Sequence, residues 1–102
     1  MLHTGLYILE GKTPKKVFDV IEWADKMYAQ DRHVAQTEIQ DVHVSTIFLG
    51  IDHSRSFHKP DGPVLFETMI FGGKHNQYRR RYCTWEEAEA GHHEACALVV
   101  EA

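Results

Sequence analysis

The order of periodic segments predicts an α+β domain: a four-stranded, mostly antiparallel sheet with an N-terminal helix and a C-terminal helix packed on it. Three observations carry this expectation. A helical apolar rhythm follows Thr13-Pro14, four short β-rich runs separated by polar connections fill the middle of the chain, and Thr84 with Glu87 opens a second helical stretch. No repeat, linker or low-complexity tract divides the sequence, so residues 1–102 read as a single domain.

The elements follow in chain order. Leu6 to Leu9 form a short apolar stretch, placed as a strand at the sheet edge. Thr13 then offers a helix cap and Pro14 suits a first helical turn, where its missing N–H would have no partner anyway. Val17, Ile21, Ala24 and Tyr28 recur at helical spacing, with Phe18, Val20 and Met27 beside them, and Lys16, Asp19, Glu22, Asp25 and Lys26 on the other side. Two strand-like runs, Val34 to Ile39 and Val42 to Ile51, are separated by Gln40-Asp41, which is hairpin spacing. The second run is apolar on both faces, as a central strand is. Val64 to Phe71 and Tyr78 to Thr84 supply the third and fourth strands. The last helix carries Trp85, Ala88, His92, Ala95 and Val99 along one face.

Composition limits the function. The formal net charge of -4 argues against binding duplex DNA, because such affinity comes mostly from Lys and Arg neutralising phosphates. No stretch is apolar over a bilayer's width, no signal peptide is recognisable, and Cys83 and Cys96 form no CxxC pair, so a cytoplasmic protein with reduced thiols and no membrane partner is expected. A chain of this size builds one modest core, which makes a homo-oligomer a natural expectation. The histidines show no HxH or HExxH spacing, and there is no phosphate loop or nucleophile elbow; no cofactor, metal or catalytic residue is therefore assigned.

Four places concentrate reactive side chains. Asp52, His53 and Arg55 lie where the central strand enters the segment Asp52 to Pro63, a long connection for so small a domain, and either a turn or a binding rim fits them. Glu67 interrupts an apolar strand: it shares a buried face with Leu65, Met69 and Phe71, or that face is open and Val64, Phe66, Thr68 and Ile70 form the core side. In the first case its carboxylate needs an Arg or His partner. His92 occupies a leucine-like position beside Gly91, a helix-weakening residue that signals a close packing contact. In Tyr78-Arg79-Arg80-Arg81-Tyr82, strand geometry turns Tyr78, Arg80 and Tyr82 one way and Arg79 and Arg81 the other; such a strand can grip a nucleotide or protect a sheet edge with charge.

The segments "DRHVAQTEI", "VHVSTIFLGIDHS", "PVLFETMIFGG" and "RYCTWEEAEAGH", in that order, resemble a group of short, mostly uncharacterised proteins encoded by tailed bacteriophages and prophages. The likeness spans Trp23 to His92; this chain departs from it in the basic stretches Arg55 to Lys59 and Arg79 to Arg81. The resemblance implies an accessory, anti-defence role in the cytoplasm of a bacterial host. In that role the chain would sequester a small nucleotide-type immune signal without cleaving it, using Asp52, His53, Arg55, Glu67, Tyr78, Arg80, Tyr82 and His92. An adaptor that inhibits a host or phage protein and a small hydrolase built on Asp52, His53, Glu67 and His92 are the competing expectations.

Overall fold

The structure, a computed structural model, describes residues 5–54 and 62–102; Arg55 lies outside the described residues. The elements run β1 (Leu6–Glu10), β2 (Thr13–Val17), α1 (Val20–Ala29), β3 (His33–Ile39), β4 (Val42–Phe48), β5 (Phe66–Phe71), β6 (Arg79–Tyr82) and α2 (Trp85–Glu101). The four expected strands form an antiparallel sheet in the order β3-β4-β5-β6, with β4 flanked by β3 and β5. Phe48 at its end is fully buried. The expected run to Ile51 is cut short: β4 ends at Phe48, and beyond it the chain bends at Gly50 (φ 80°), held to the residues just before β5 by Leu49 N to Leu65 O and His53 N to Val64 O.

The N-terminal third differs from expectation. Residues 13–17 form a strand instead of the first turns of a helix, and pair with β1 in a hairpin. Gly11 supplies a positive φ of 64° at the first position of the two-residue loop Gly11-Lys12, where a type II′ hairpin turn needs it. Pro14 is tolerated because of its register. It faces Leu9, whose own N–H and C=O point away from it to the side-chain amide of Gln30, so the pair exchanges no hydrogen bonds and the missing proline N–H lies on the free edge. The helix starts later, at an Asp19 cap that accepts from the amides of Ile21 and Glu22.

Helix placement changes accordingly. α2 packs across all four strands of the large sheet, whereas α1 rests mainly on the β1–β2 hairpin through Trp23 and Met27. The hairpin joins the chain that follows β4, through Tyr7 N to Gly50 O, Asp52 N to Gly5 O and a Leu6–Ile51 bridge.

Alternation sorts the sheet into two faces. Val44, Thr46 and Phe48 of β4 and Phe66, Thr68 and Ile70 of β5 lie under α2, where they meet Ala88, His92 and Ala95. Apolar clusters lie at either end of this interface, one around Phe48, Leu65, Phe66 and Ala88 and one around Val44, Ile70 and Ala95. The residues between them are polar.

Two changes test this packing. Thr84 accepts from the Glu87 amide while the Glu87 carboxylate accepts from the amides of Cys83 and Thr84. Thr84→Ala should therefore lower the unfolding free energy by about 1 kcal/mol, read from the urea midpoint. Gly91 lies against the Tyr82 ring, and a Cβ there would overlap the ring and its hydroxyl. Gly91→Ala should accordingly destabilise, because an overpacking cost of about 1–3 kcal/mol outweighs the helix-propensity gain of about 1 kcal/mol.

Candidate functional site

Among the described residues the expected set divides: Tyr78, Arg80, Tyr82 and His92 lie on the α2 side of the sheet, Glu67 on the opposite face, and Asp52 and His53 where the chain leaves the sheet. Asp52 pins the chain where it leaves and rejoins the sheet: its Oδ1 accepts from the amides of Ser54 at 2.8 Å and Val64 at 2.9 Å. That is the turn reading of the carboxylate. His53 is exposed, with Nδ1 at 2.7 Å from the Ile51 carbonyl oxygen. Tyr78, Arg80 and Tyr82 share the α2 side of the sheet, as strand parity requires. There Tyr78 packs on the Val44–Ile70–Ala95 cluster and Tyr82 is buried. Arg80 binds Glu94 of α2 at 2.5 Å and covers the Tyr82 ring at 5.5 Å. Glu94, and after it a hydrogen bond to Tyr78, raise the Arg80 pKa above its usual value. The guanidinium expected to grip a ligand already holds a carboxylate.

His92 is a core residue in a fully hydrogen-bonded layer. Its Nδ1 lies 2.7 Å from Thr46 Oγ1 and its Nε2 lies 2.8 Å from Thr37 Oγ1; Thr46 meets Thr68, and the Tyr82 hydroxyl donates to Thr68 at 3.1 Å. The run closes without an orphan donor when Tyr82 donates to Thr68, Thr68 to Thr46, and Thr46 to Nδ1. Nε2 then carries the ring proton and donates to Thr37. Burial lowers the His92 pKa, and the neighbouring charges of His93 and His43 lower it further. His92 is thus neutral in the fold, and Glu67, on the opposite face of the sheet, is out of its reach.

The open face holds a different set. Cross-strand registers place Glu38, His43 and Phe71 in one row, Gln36, Ser45, Met69 and Arg79 in the next, and Ile47, Glu67 and Arg81 in a third. Glu67 takes the open-face alternative, and its partners are arginines: Oε2 lies 2.9 Å from Arg81 Nε and 3.4 Å from Arg79 Nε. The carboxylate is 12% exposed, the two guanidinium side chains 55% and 37%. Two cations sharing one anion leave a positive charge in excess. Phe71, 46% exposed, follows Met69 on the same face, about 7 Å further along the strand. His43 stacks on it with centroids 6.2 Å apart, and the imidazole is fixed by Glu38 Oε2 at Nδ1 and by Gln36 Oε1 at Nε2.

Strand parity separates Arg79 and Arg81 from Arg80, as expected, but Phe71 and His43, which share the open face with them, are not among the residues the sequence singles out. The missed signal was the pairing of Glu67 with Arg81 in β5–β6 register. A cavity of about 370 Å³ between β6 and α2 is lined by Arg80, Arg81, Tyr82, Gly91, Glu87 and Glu94; the carboxylates of Glu87 and Glu94 oppose an anion there. Among the described residues no group of three or more His, Cys, Asp or Glu side chains could hold a metal ion. No helix among them is long and apolar enough to cross a membrane. Comparison with family models, curated proteins and solved structures finds no match to this chain.

The His92 layer sets a pH dependence. Because the folded state holds His92 below its ordinary value of 6.5, the unfolded chain binds the proton more readily. The contribution of His92 to stability is intact above pH 6.5 and declines as pH falls below it, toward the depressed folded value. Urea midpoints should therefore drop between pH 7.5 and 5.5 in the wild type, and the drop should be smaller in His92→Gln.

Proposed function

We propose that this chain is a non-enzymatic binding protein that captures a small anionic ligand with an aromatic ring, of nucleotide type, on the open face of its sheet. The observation that carries the reading is the sharing of Glu67 by Arg79 and Arg81 on the same face as the half-exposed Phe71, which lies two rows further along the sheet. A phosphate can take the place of the single carboxylate at two planar guanidinium forks, and a base can stack on an aromatic ring. Neither contact needs a reacting group. Capture without cleavage accords with the resemblance to phage accessory proteins and would sequester a host immune signal in the bacterial cytoplasm.

A second reading, an adaptor for a host or phage protein, draws on the exposed apolar residues of α1 and not on the sheet. The two separate by site. With adenosine diphosphate as the probe, calorimetric titration should show binding that weakens by about 1.5–3 kcal/mol in Arg81→Ala, the range for hydrogen bonds to charged groups. Glu67→Gln, which removes the competing carboxylate, should tighten it, and Arg80→Ala should leave it nearly unchanged. The nucleotide should be recovered intact after denaturation. Absence of any nucleotide binding would favour the adaptor, and a cleaved product would return the chain to the hydrolases.

A further inference from the structure

At the end of the sheet where β4 begins, the β3–β4 turn, the β5–β6 connection and the last turn of α2 surround a cavity of about 420 Å³. Its size falls within the range of about 300–1,000 Å³ typical of small-molecule sites. The apolar part is continuous with the core: Val42 and Val99, both half-buried, pack on the Val44–Ile70–Ala95 cluster, and Ile39 and the exposed Val100 line the cavity with them.

Main-chain bonds hold the β5–β6 connection in shape. Gly72 and Gly73 take positive φ of 96° and 71°, the Gly72 amide donates to Asn76 Oδ1 at 2.6 Å, and the Tyr78 amide donates to the His75 carbonyl oxygen at 2.9 Å. A Cβ on Gly73 would lie 2.8 Å from Val42 Cγ2, so glycine is what lets the connection close down over Val42.

Charges of both signs meet at this cavity. The connection contributes Lys74 and His75, no Asp or Glu lines the space, and neither the Lys74 ammonium nor the His75 ring has a hydrogen-bond or ion-pair partner among the described residues. At α2 the sign is reversed. The end of this 17-residue helix gathers partial negative charge on its carbonyl groups, its last turn holds no basic side chain, and its cap is a main-chain bond, Ala102 N–H to the Val99 carbonyl oxygen.

We infer that the cavity binds a free α-amino acid with an aliphatic side chain. Its carboxylate accepts from Lys74 and His75, its ammonium donates to the carbonyl end of α2, and its side chain lies on Ile39, Val42 and Val99. A plain carboxylate would face the negative end of the helix with nothing to offer it, and a plain amine would meet Lys74. A ligand with both charges on one carbon and an apolar branch answers all three walls.

Calorimetric titration of the intact chain with L-leucine tests this, alongside 4-methylpentanoate, which lacks the ammonium, and 3-methylbutylamine, which lacks the carboxylate. Leucine should bind at one site per chain, and each analogue about tenfold or more weakly, because each loses hydrogen bonds made by a charged group. Lys74→Met, at an exposed position, should weaken leucine by a similar factor with an unchanged circular dichroism spectrum. The Val42 and Val99 methyl resonances should shift during the titration while the Met69 methyl stays in place. Absence of saturable leucine binding, an analogue that binds as tightly as leucine, or a folded Lys74→Met variant of undiminished affinity would each overturn the inference. Adenosine diphosphate takes no part in the experiment, so failure here leaves the open-face reading standing and failure there leaves this one.

Discussion

His92 stands where a leucine would complete an ordinary helix-on-sheet core, and the rest of the domain is arranged around keeping it neutral and hydrogen-bonded. Each neighbour in its layer interrupts an apolar series: Thr46 between Val44 and Phe48, Thr68 between Phe66 and Ile70, His92 itself between Ala88 and Ala95. A buried imidazole with a free nitrogen would cost more than the leucine it replaces, so Thr37 and Thr46 must both be in register, which fixes how α2 crosses β3 and β4. The Tyr82 hydroxyl completes the run at Thr68, and Gly91 leaves room for its ring. A polar layer of this kind ties position more tightly than apolar packing, because a shift of one residue leaves several groups unpaired at once.

This sealed side gives the other face of the sheet its character. With α2 seated on one face, no described helix covers the opposite face, and alternation delivers His43, Glu67, Met69, Phe71, Arg79 and Arg81 to it on a rigid scaffold. The arginine-rich strand thus does two jobs by parity. Arg80 ties β6 to α2 through Glu94, while its neighbours on either side meet over Glu67 on the open face. A charge-balanced pair would be a surface ion pair of little consequence. The shared carboxylate makes it a binding candidate.

The features legible in the sequence were those decided by a few adjacent residues. Thr84 and Glu87 announced the start of α2 because a capping box is local, and the Gly91-His92 pair signalled a close contact because both residues are costly there unless something packs on them. β4 was readable as central from its two apolar faces. The N-terminal region was not, since Thr13-Pro14 suits a helix start and a strand edge equally. The deciding facts, the Gly11 turn and the Leu9–Gln30 clamp, depend on partners up to 21 residues away. The outward stripe of α1 was hidden for a related reason: periodicity identifies an apolar face but not the direction it points, and here hydrogen bonds from Trp23 and Gln30 decide that.

Two histidines on opposite faces of one strand-and-helix layer offer the most direct test of the central claim, that the α2 side is sealed and the open side receives the ligand. Ring resonances of His43 and His92, with the Met69 methyl and the Tyr82 ring, can be followed by NMR during titration with adenosine diphosphate. His43 and Met69 should shift on binding while His92 and Tyr82 stay in place. Shifts at His92 and Tyr82 with His43 and Met69 unmoved would contradict it.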